Sequence, residues 1–192
     1  MILVTGARGG VGTALCLELA ARGEDLALTA RDRGRLEALA ERVRAAGGTA
    51  TVHPCDLRDQ EAVAELAAEV LALHGAPSAV VCLAGHSLRR SLADTIGRPH
   101  DLVRLTGTNM LGPAALLLAL LAPMSRAGGG RFLAATSASA RIPTPGWAAY
   151  GASKAAGDVA AQVAERHYVV RTSWVFGEGA NFVATMARCT SP

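Results

Sequence analysis

The feature that most constrains the fold is a regular alternation of short apolar runs with helical patterns along the chain. The runs at residues 2–5 and 79–84 hold almost only apolar or β-branched residues. Between such runs, apolar residues recur three or four positions apart, as at Val63, Leu66 and Val70. Apolar strands separated by amphipathic helices are typical of a parallel sheet covered on both faces. The sequence therefore predicts an α/β fold with a doubly wound parallel sheet.

Six strands and a similar number of helices follow from this pattern. The strands are expected at residues 2–5, 26–30, 49–53, 79–84, 131–136 and 168–174, and the main helices at 13–22, 36–43, 63–70, 101–124 and 152–166. The long helix is expected to bend at Gly112-Pro113. Few residues follow the sixth strand, with room for one short helix at residues 181–188. We therefore expect one domain over residues 1–192, with the sheet truncated after its sixth strand.

Composition excludes several classes of protein. Hydrophobic residues make up 51% of the 192 residues and charged residues 18%, which is unlike a disordered chain. A net charge of +3 is too small to indicate a nucleic-acid partner. No signal-peptide pattern follows Met1, and the apolar stretch at residues 111–123 is shorter than the roughly 20 residues of a membrane span. The sequence predicts a soluble, cytoplasmic protein.

Cysteine spacing gives no metal or redox motif. The four cysteines, Cys16, Cys55, Cys82 and Cys189, are far apart and form no CxxC pair. Three of them lie in or beside apolar runs, so we expect small buried thiols. No metal site is predicted.

A glycine-rich loop joins the first strand to the first helix. Residues 5–12 spell TGARGGVG, a TGxxxGxG pattern. Glycine allows a tight turn and a close approach to a pyrophosphate, and the following helix N-terminus offers free N–H groups. A glycine motif alone is weak evidence. In the first strand-to-helix turn, however, it predicts a dinucleotide site at Gly6, Gly10, Val11 and Gly12.

The tip of the second strand bears on the choice of cofactor. Arg31 stands where a dinucleotide-binding fold often has a carboxylate that holds the ribose 2′-hydroxyl of NAD. A guanidinium there suits a 2′-phosphate, and Arg8 in the glycine loop points the same way. Asp32 is the competing residue, although it could instead cap the next helix. The arginines could also form an ordinary solvated helix start. The sequence favours NADP(H) over NAD(H).

Four further residues stand in a recognisable order. Tyr150 and Lys154 form a YxxxK motif, Ser137 lies upstream at the end of the fifth strand, and Asn109 lies in the long helix. Together with the glycine loop, they resemble the short-chain dehydrogenase/reductase family over essentially the whole chain. The resemblance implies a Rossmann fold, hydride transfer between a nicotinamide and a small carbonyl or alcohol, and catalysis by Asn109, Ser137, Tyr150 and Lys154.

The residue types suit that chemistry independently. Reduction of a carbonyl needs a proton for the developing alkoxide, and a tyrosine with a pKa of about 10 is a poor base near neutrality. Residues i and i+4 share a helix face, so the Lys154 ammonium can favour the Tyr150 phenolate and reach the ribose of the cofactor. Ser137 can hydrogen-bond the substrate oxygen. By the resemblance, Asn109 holds a water in the proton relay to Lys154.

The resemblance also implies contacts to the rest of the cofactor. Asp56 and Leu57 follow the third strand, where the family contacts the adenine. Ala84 and Gly85 close the fourth strand, where the family has Asn-Asn-Ala-Gly. This chain has Cys82-Leu83 in place of the two asparagines, so a strand-bracing hydrogen bond of the family is missing.

The last part of the chain leaves other functions open. Residues 155–158, 169–177 and 179–182 together resemble the nucleotide-sugar branch of the superfamily, with dTDP-4-dehydrorhamnose reductases as the nearest likeness, so a nucleotide-sugar reductase is an alternative. A non-catalytic NADP(H)-binding regulatory protein is a second alternative, suggested by the short C-terminal portion. The leucines at 116–118, 120 and 121 exceed what one sheet-facing stripe can bury, which predicts a homo-oligomer, most simply a dimer.

Overall fold

The computed structural model describes residues 1–142, 144–161, 168–172 and 182–190. It contains a parallel sheet whose six strands are β1 (Ile2–Thr5), β2 (Asp25–Ala30), β3 (Thr49–Pro54), β4 (Ala79–Cys82), β5 (Arg131–Ser137) and β6 (Tyr168–Thr172). Their order across the sheet is β3-β2-β1-β4-β5-β6. This is the strand order of a doubly wound dinucleotide-binding sheet, which confirms the predicted fold class.

The helices connect the strands and lie on both faces. They are α1 (Gly10–Ala20), α2 (Arg33–Ala45), α3 (Gln60–His74), α4 (Leu92–Thr95), α5 (Pro99–Thr106), α6 (Gly112–Arg126), α7 (Ala148–Ala161) and α8 (Phe182–Thr190). The predicted short last helix is present with slightly different bounds. The predicted ends of the preceding helix at residue 166 and of the sixth strand at residue 174 lie outside the described residues.

Alternation along β1 places core side chains on both faces of the sheet. Ile2 and Val4 pack with α1 and α2 on one face, in a cluster that also contains Met186 of α8. Leu3 points to the other face, where it joins a cluster containing Leu66 of α3 and Leu120 of α6. The fully apolar strands are thus explained by burial on both sides.

The predicted long helix contains a turn that the sequence did not indicate. One turn of π-helix at Gly107–Leu111 joins α5 to α6, directly before the Gly112-Pro113 step at which a bend is predicted. Gly112 lies against the chain that follows β3, and a Cβ there would stand 2.4 Å from the Leu57 carbonyl oxygen. The wider π-turn, a feature frequent at functional sites, contains Asn109.

The continuous helical segment Pro99–Arg126 is long and apolar enough to cross a membrane, by length and composition. The sequence estimate, based on residues 111–123 alone, was too short. In this fold Leu116, Leu120 and Met124 of the segment are buried against the sheet and α3. Burial accounts for part of its apolar character, since 39% of the most apolar window is buried.

All strands are parallel, so their carboxyl ends meet at one edge of the sheet. The segments after β1, β2, β3 and β4 begin there, and β5 ends there at Ser137. Ligands of open parallel sheets bind outside this edge. The topology thus collects the predicted site residues from distant parts of the sequence.

Candidate active site

A cavity of about 830 Å³ opens at the carboxyl edge of the sheet. Residues following the first four strands line it together with residues of α5 and the π-turn. Its wall consists of Gly6, Arg8, Gly9, Thr29, Ala30, Arg31, Asp32, Cys55, Asp56, Leu57, Arg58, Leu83, Ala84, Gly85, His86, Arg104 and Thr108. Most of the predicted cofactor residues therefore share one cavity.

Close contacts with other backbone atoms of the protein require glycine at two positions of the loop. Gly6 has φ +66°, and a Cβ there would lie 2.4 Å from the backbone nitrogen of Ala84. A Cβ on Gly12 would lie 2.2 Å from the Gly6 carbonyl oxygen. Glycine is needed at these two positions because the loop turns tightly and packs against the chain after β4.

The start of α1 faces the same edge of the sheet. The helix begins at Gly10, three residues before the expected start, so Gly10, Val11 and Gly12 form its first turn. Gly9 precedes it, and no side chain caps the helix there. Arg8 is exposed on the cavity wall. An uncapped helix start beside a cation is a ready site for a phosphate group.

Arg31 and Asp32, the two residues after β2 that bear on the choice of cofactor, have different roles in the structure. The Asp32 carboxylate accepts a hydrogen bond of 3.0 Å from the backbone N–H of Arg35 and so caps α2. Helix capping was one of the two roles predicted for Asp32, the other being a contact to the cofactor ribose. Arg31 is exposed on the cavity wall. The cation is thereby left available to the cavity, while the carboxylate serves the helix.

Asp56 after β3 is held by Arg58, a residue that the sequence analysis missed. Arg58 Nε donates to both carboxylate oxygens of Asp56 at 3.0 Å, and its Nη2 donates to Oδ2. These hydrogen bonds hold the pKa of the Asp56 carboxyl below its ordinary value, against the opposing effect of burial, and the Arg31 charge adds to the lowering. The Asp-x-Arg spacing after a predicted strand was the available signal.

The chain after β4 completes the inner wall. The strand ends at Cys82, earlier than expected, and Leu83 and Ala84 continue along β1 by hydrogen bonds from their N–H groups to the Thr5 carbonyl and hydroxyl oxygens. Gly85 comes next, and a Cβ on it would lie 3.6 Å from both Asn109 Oδ1 and Lys154 Nζ. Gly85 is therefore the point where the cofactor cavity meets two catalytic candidates.

Asn109 is a buried link between three parts of the site. Its Oδ1 accepts from the His86 N–H at 2.8 Å, and its Nδ2 donates to the His86 carbonyl at 2.8 Å and to Ser153 Oγ at 2.9 Å. Both amide hydrogens are thus used within the protein. The Oδ1 atom keeps a second lone pair, so it can still accept a further hydrogen bond.

Lys154 is buried on the inner face of α7. Its Nζ donates a hydrogen bond of 2.9 Å to the Ala135 carbonyl of β5. Burial lowers the pKa of the Lys154 ammonium, while nearby Cys82 and Asp158 act in the opposite direction. The predicted ammonium thus lies in a desolvated position between α7 and β5.

Ser137 and Tyr150 occupy the outer part of the site. Ser137 ends β5, two residues beyond the anchor of Lys154, and its Oγ accepts from the Ser139 N–H at 3.2 Å. Tyr150 lies in the first turn of α7, half-buried, with its ring 5.2 Å from that of Trp147. Among the described residues, neither belongs to the wall of the 830 Å³ cavity.

Two further residues support this constellation without having been singled out. Ser153 is fully buried and donates to the Tyr150 carbonyl at 2.7 Å while accepting from Asn109. It joins the π-turn to the first turn of α7. Trp147 packs against the Tyr150 ring. Ser153 lies inside the YxxxK motif, so its position three residues after Tyr150 was a usable signal.

Three cysteines are buried, as predicted: Cys16, Cys55 and Cys82. Burial raises the pKa of the Cys16 thiol to about 12, so it remains protonated at neutral pH. In the part of the chain that the structure describes, no three His, Cys, Asp or Glu side chains are grouped to hold a metal ion.

The strand order and the cavity at the carboxyl edge of the sheet define a Rossmann-type fold, and sequence comparison identifies the family. The chain matches the short chain dehydrogenase family over residues 1–172. It belongs to that family. It is 37% identical over 161 residues to an uncharacterized oxidoreductase of Mycobacterium bovis, covering 82% of this chain and 47% of that protein. It is 33% identical to a fatty acyl-CoA reductase of Acinetobacter baylyi, covering 81% of this chain and 53% of that protein. The chain spans about half the length of these curated relatives.

Solved structures show the same fold. A metagenomic short-chain oxidoreductase in complex with NADP superposes with a TM-score of 0.89 at 30% identity, covering 98% of this chain and 89% of that one. An alcohol dehydrogenase from Thermococcus sibiricus, complexed with 5-hydroxy-NADP, gives a TM-score of 0.78 at 30% identity over 84% of this chain and 68% of that one. The likeness to dTDP-4-dehydrorhamnose reductases rested on residues 155–158, 169–177 and 179–182, of which 173–177 and 179–181 lie outside the described residues.

Proposed function

We propose that residues 1–192 form one NADP(H)-binding domain that interconverts a small carbonyl compound and its alcohol by hydride transfer. The observation that carries the proposal is the meeting of Lys154 Nζ and Asn109 beside Gly85, at the inner wall of the 830 Å³ cavity. Tyr150 lies one helical turn before Lys154. A cation, a phenol and a dinucleotide-sized cavity are thus gathered at one edge of the sheet.

The cavity suits a dinucleotide by shape and charge. The glycine loop leaves no side chain between the start of α1 and the cavity, and Arg8 and Arg31 supply positive charge for phosphates. When bound, the nicotinamide supplies or accepts the hydride. Gly6, Gly10, Val11 and Gly12 hold the pyrophosphate by backbone N–H groups, Arg8 and Arg31 the 2′-phosphate, and Asp56, Leu57 and Ala84 lie toward the adenosine.

Four side chains then handle the proton and the substrate oxygen. Tyr150 donates its phenolic proton to the developing alkoxide, and Ser137 donates a hydrogen bond to the same oxygen. Lys154, anchored to the Ala135 carbonyl, favours the phenolate that remains and donates to the nicotinamide ribose. Asn109 positions this assembly through His86 and Ser153, and it holds the relay water that the family resemblance implies.

The proton donor is tested by Tyr150→Phe. The ring still packs on Trp147, so NADPH affinity should change little, whereas turnover should fall by at least the 10² to 10⁴ typical of a lost general acid. NADPH oxidation would be followed with a panel of ketones, aldehydes, acyl-CoA thioesters and sugar nucleotides. Near-normal turnover of the variant would contradict the assignment. NADPH binding by the unaltered protein with no oxidation across the panel would favour the regulatory alternative.

The acyl-CoA arm of the panel has a specific reason. Two relatives, from Acinetobacter baylyi and Mycobacterium tuberculosis, carry the name fatty acyl-CoA reductase and are each 33% identical to this chain. A long-chain acyl group is therefore a second candidate substrate. The nucleotide-sugar alternative rests on the C-terminal resemblance alone.

Cofactor preference rests on Arg31 and Arg8. Three of the solved relatives are bound to NADP or a derivative, and one to NAD⁺. We expect tighter binding of NADPH than of NADH, and Arg31→Asp should reverse the preference because it replaces a phosphate donor by a ribose acceptor. Fluorescence titration with both cofactors measures this. Equal affinities in the unaltered protein would contradict the assignment.

We also propose a homodimer formed through α6 and α7. Leu116, Leu117 and Leu120 are buried within the protomer, so the predicted excess of apolar surface reduces to Leu118 and Leu121, which are 73% and 47% exposed. Leu111 lies seven residues before Leu118 on the same face and is also exposed. Light scattering should give twice the protomer mass, and Leu118→Asp should give the protomer. A monomeric unaltered protein would refute the dimer.

A further inference from the structure

Arg58 and Asp56 form a hydrogen-bonded ion pair on the wall of the cofactor cavity. Arg58 uses its backbone N–H, Nε and Nη2 to hold the two carboxylate oxygens. Within the described part of the chain, no hydrogen bond engages its remaining nitrogen, Nη1. The side chains of Arg58 and Asp56 are 37% and 32% exposed, so both face the cavity and solvent. This pair is therefore accessible to a ligand.

The position of Arg58 is supported from the opposite side by the π-turn. A Cβ on Gly107 would lie 3.3 Å from Arg58 Cγ and 3.5 Å from its Cβ. Gly107 is buried and has no side chain, so the aliphatic part of Arg58 packs directly on its backbone. A larger residue at position 107 would push Arg58 away from this place. The arginine is thus seated in the wall and is not a free surface side chain.

The negative charge of Asp56 would affect the binding of a cofactor that carries a phosphate on its ribose. Arg31, the proposed partner of the 2′-phosphate, lines the same cavity and acts electrostatically on Asp56. A 2′-phosphate carries about −1.5 to −2 charges near neutrality. An unpaired carboxylate beside it would repel it, whereas the 2′-hydroxyl of NAD(H) has no charge to repel. Neutralising Asp56 therefore affects one cofactor more than the other.

We infer that Arg58 is a further determinant of NADP(H) preference, because it holds and neutralises Asp56 on the wall of the cavity that Arg31 also lines. This inference rests on the proposed dinucleotide function and adds a third arginine to Arg8 and Arg31. Arg58 acts on the phosphate through Asp56, so it is a positioning residue and not a catalytic one.

The test compares Arg58→Gln with the unaltered protein, using NADPH, NADH, 2′,5′-ADP and 5′-AMP as probes in binding titrations. We expect the ratio of NADPH to NADH dissociation constants to rise about fivefold, the scale of a partly exposed charge interaction. The ratio for 2′,5′-ADP over 5′-AMP should rise equally. Arg58→Lys keeps the positive charge and should largely keep the preference.

A double variant separates neutralisation from direct phosphate binding. In Arg58→Gln with Asp56→Asn there is no carboxylate left to neutralise, so the preference for NADPH should return. Arg22→Gln is the matched control, because Arg22 pairs with Glu18 at 2.8 Å at the other end of α1 and should leave the ratio unchanged.

Three results would overturn the role of Arg58. These are an unchanged ratio in Arg58→Gln, an equal weakening of both cofactors, and no recovery in the double variant. All three assume that the unaltered protein binds NADPH. If it binds neither cofactor, the proposed function itself fails, and the two failures are therefore distinguishable.

Discussion

Replacement of Asn109 by alanine perturbs the most connected polar side chain of the site. The substitution removes two hydrogen bonds to the His86 backbone and one to Ser153 Oγ, all between 2.8 and 2.9 Å. Each hydrogen bond contributes about 1 kcal/mol net. His86 is exposed and can turn to water, whereas Ser153 is fully buried. We therefore expect a loss of about 2–4 kcal/mol in the free energy of unfolding.

The assay is urea unfolding followed by circular dichroism, with the midpoint and slope fitted together. Ser153→Ala is the matched control. It removes the two hydrogen bonds of Ser153 Oγ, from Asn109 and to the Tyr150 carbonyl, and leaves Asn109 bound to His86, so about 2 kcal/mol should be lost. Turnover of Asn109→Ala should also fall, because the segment around Gly85 loses its anchor beside Lys154. An Asn109→Ala protein within about 0.5 kcal/mol of the unaltered protein, the usual range of surface substitutions, would refute the linking role.

Three other substitutions test separate parts of the fold and site. Gly6→Ala should be strongly destabilising, because the new Cβ would clash with Ala84 backbone atoms in addition to the strain of a φ of +66°. Gly23→Ala is the control: at φ +76° with no atom within 4 Å, it should lose only the roughly 1–2 kcal/mol of the backbone strain. Thermal melts of the two variants measure the difference, and equal losses of stability would contradict the clash. Lys154→Met removes a cation whose pKa is lowered by burial. The unfolded lysine gains its proton as pH falls through about 10.4, before the folded one does. The unaltered protein should therefore lose stability relative to the variant as pH falls from alkaline towards neutral. A difference in the free energy of unfolding between the two proteins that stays constant over this range, measured by urea unfolding, would argue against a desolvated ammonium. Met186→Ala should cost about 2–5 kcal/mol in urea unfolding, because Met186 is fully buried in the core shared with α1; an unchanged midpoint would show that α8 does not dock there.

Much of the architecture follows from the order of residues alone. Apolar runs and helical spacing predicted the parallel sheet because the central strands β1, β2 and β4 are buried on both faces, and this requirement is visible locally. Asp32 was foreseen as a helix cap because capping involves only residues three positions apart. The motif residues Ser137, Tyr150 and Lys154 were found because the resemblance to a family is itself a sequence pattern.

The ends of elements were less predictable. The first helix begins at Gly10 and β4 ends at Cys82. In both cases the boundary depends on contact between the glycine loop and the chain after β4, where Ala84 approaches Gly6. Residues so far apart in sequence leave no local signal of that contact. The π-turn was likewise missed, and the position of Gly112 against Leu57 belongs to the packing of α6 on the sheet.

The connections within the site were decided by tertiary structure. By itself, the sequence determined which residue types were available: a phenol, an ammonium, a serine, an asparagine and several arginines. The packing of α7 on β5 decided that Lys154 binds the Ala135 carbonyl, and the π-turn beside α7 decided that Asn109 joins His86 to Ser153. Hydrogen bonds form over about 3 Å, so they depend on how separate elements pack, which no local periodicity records.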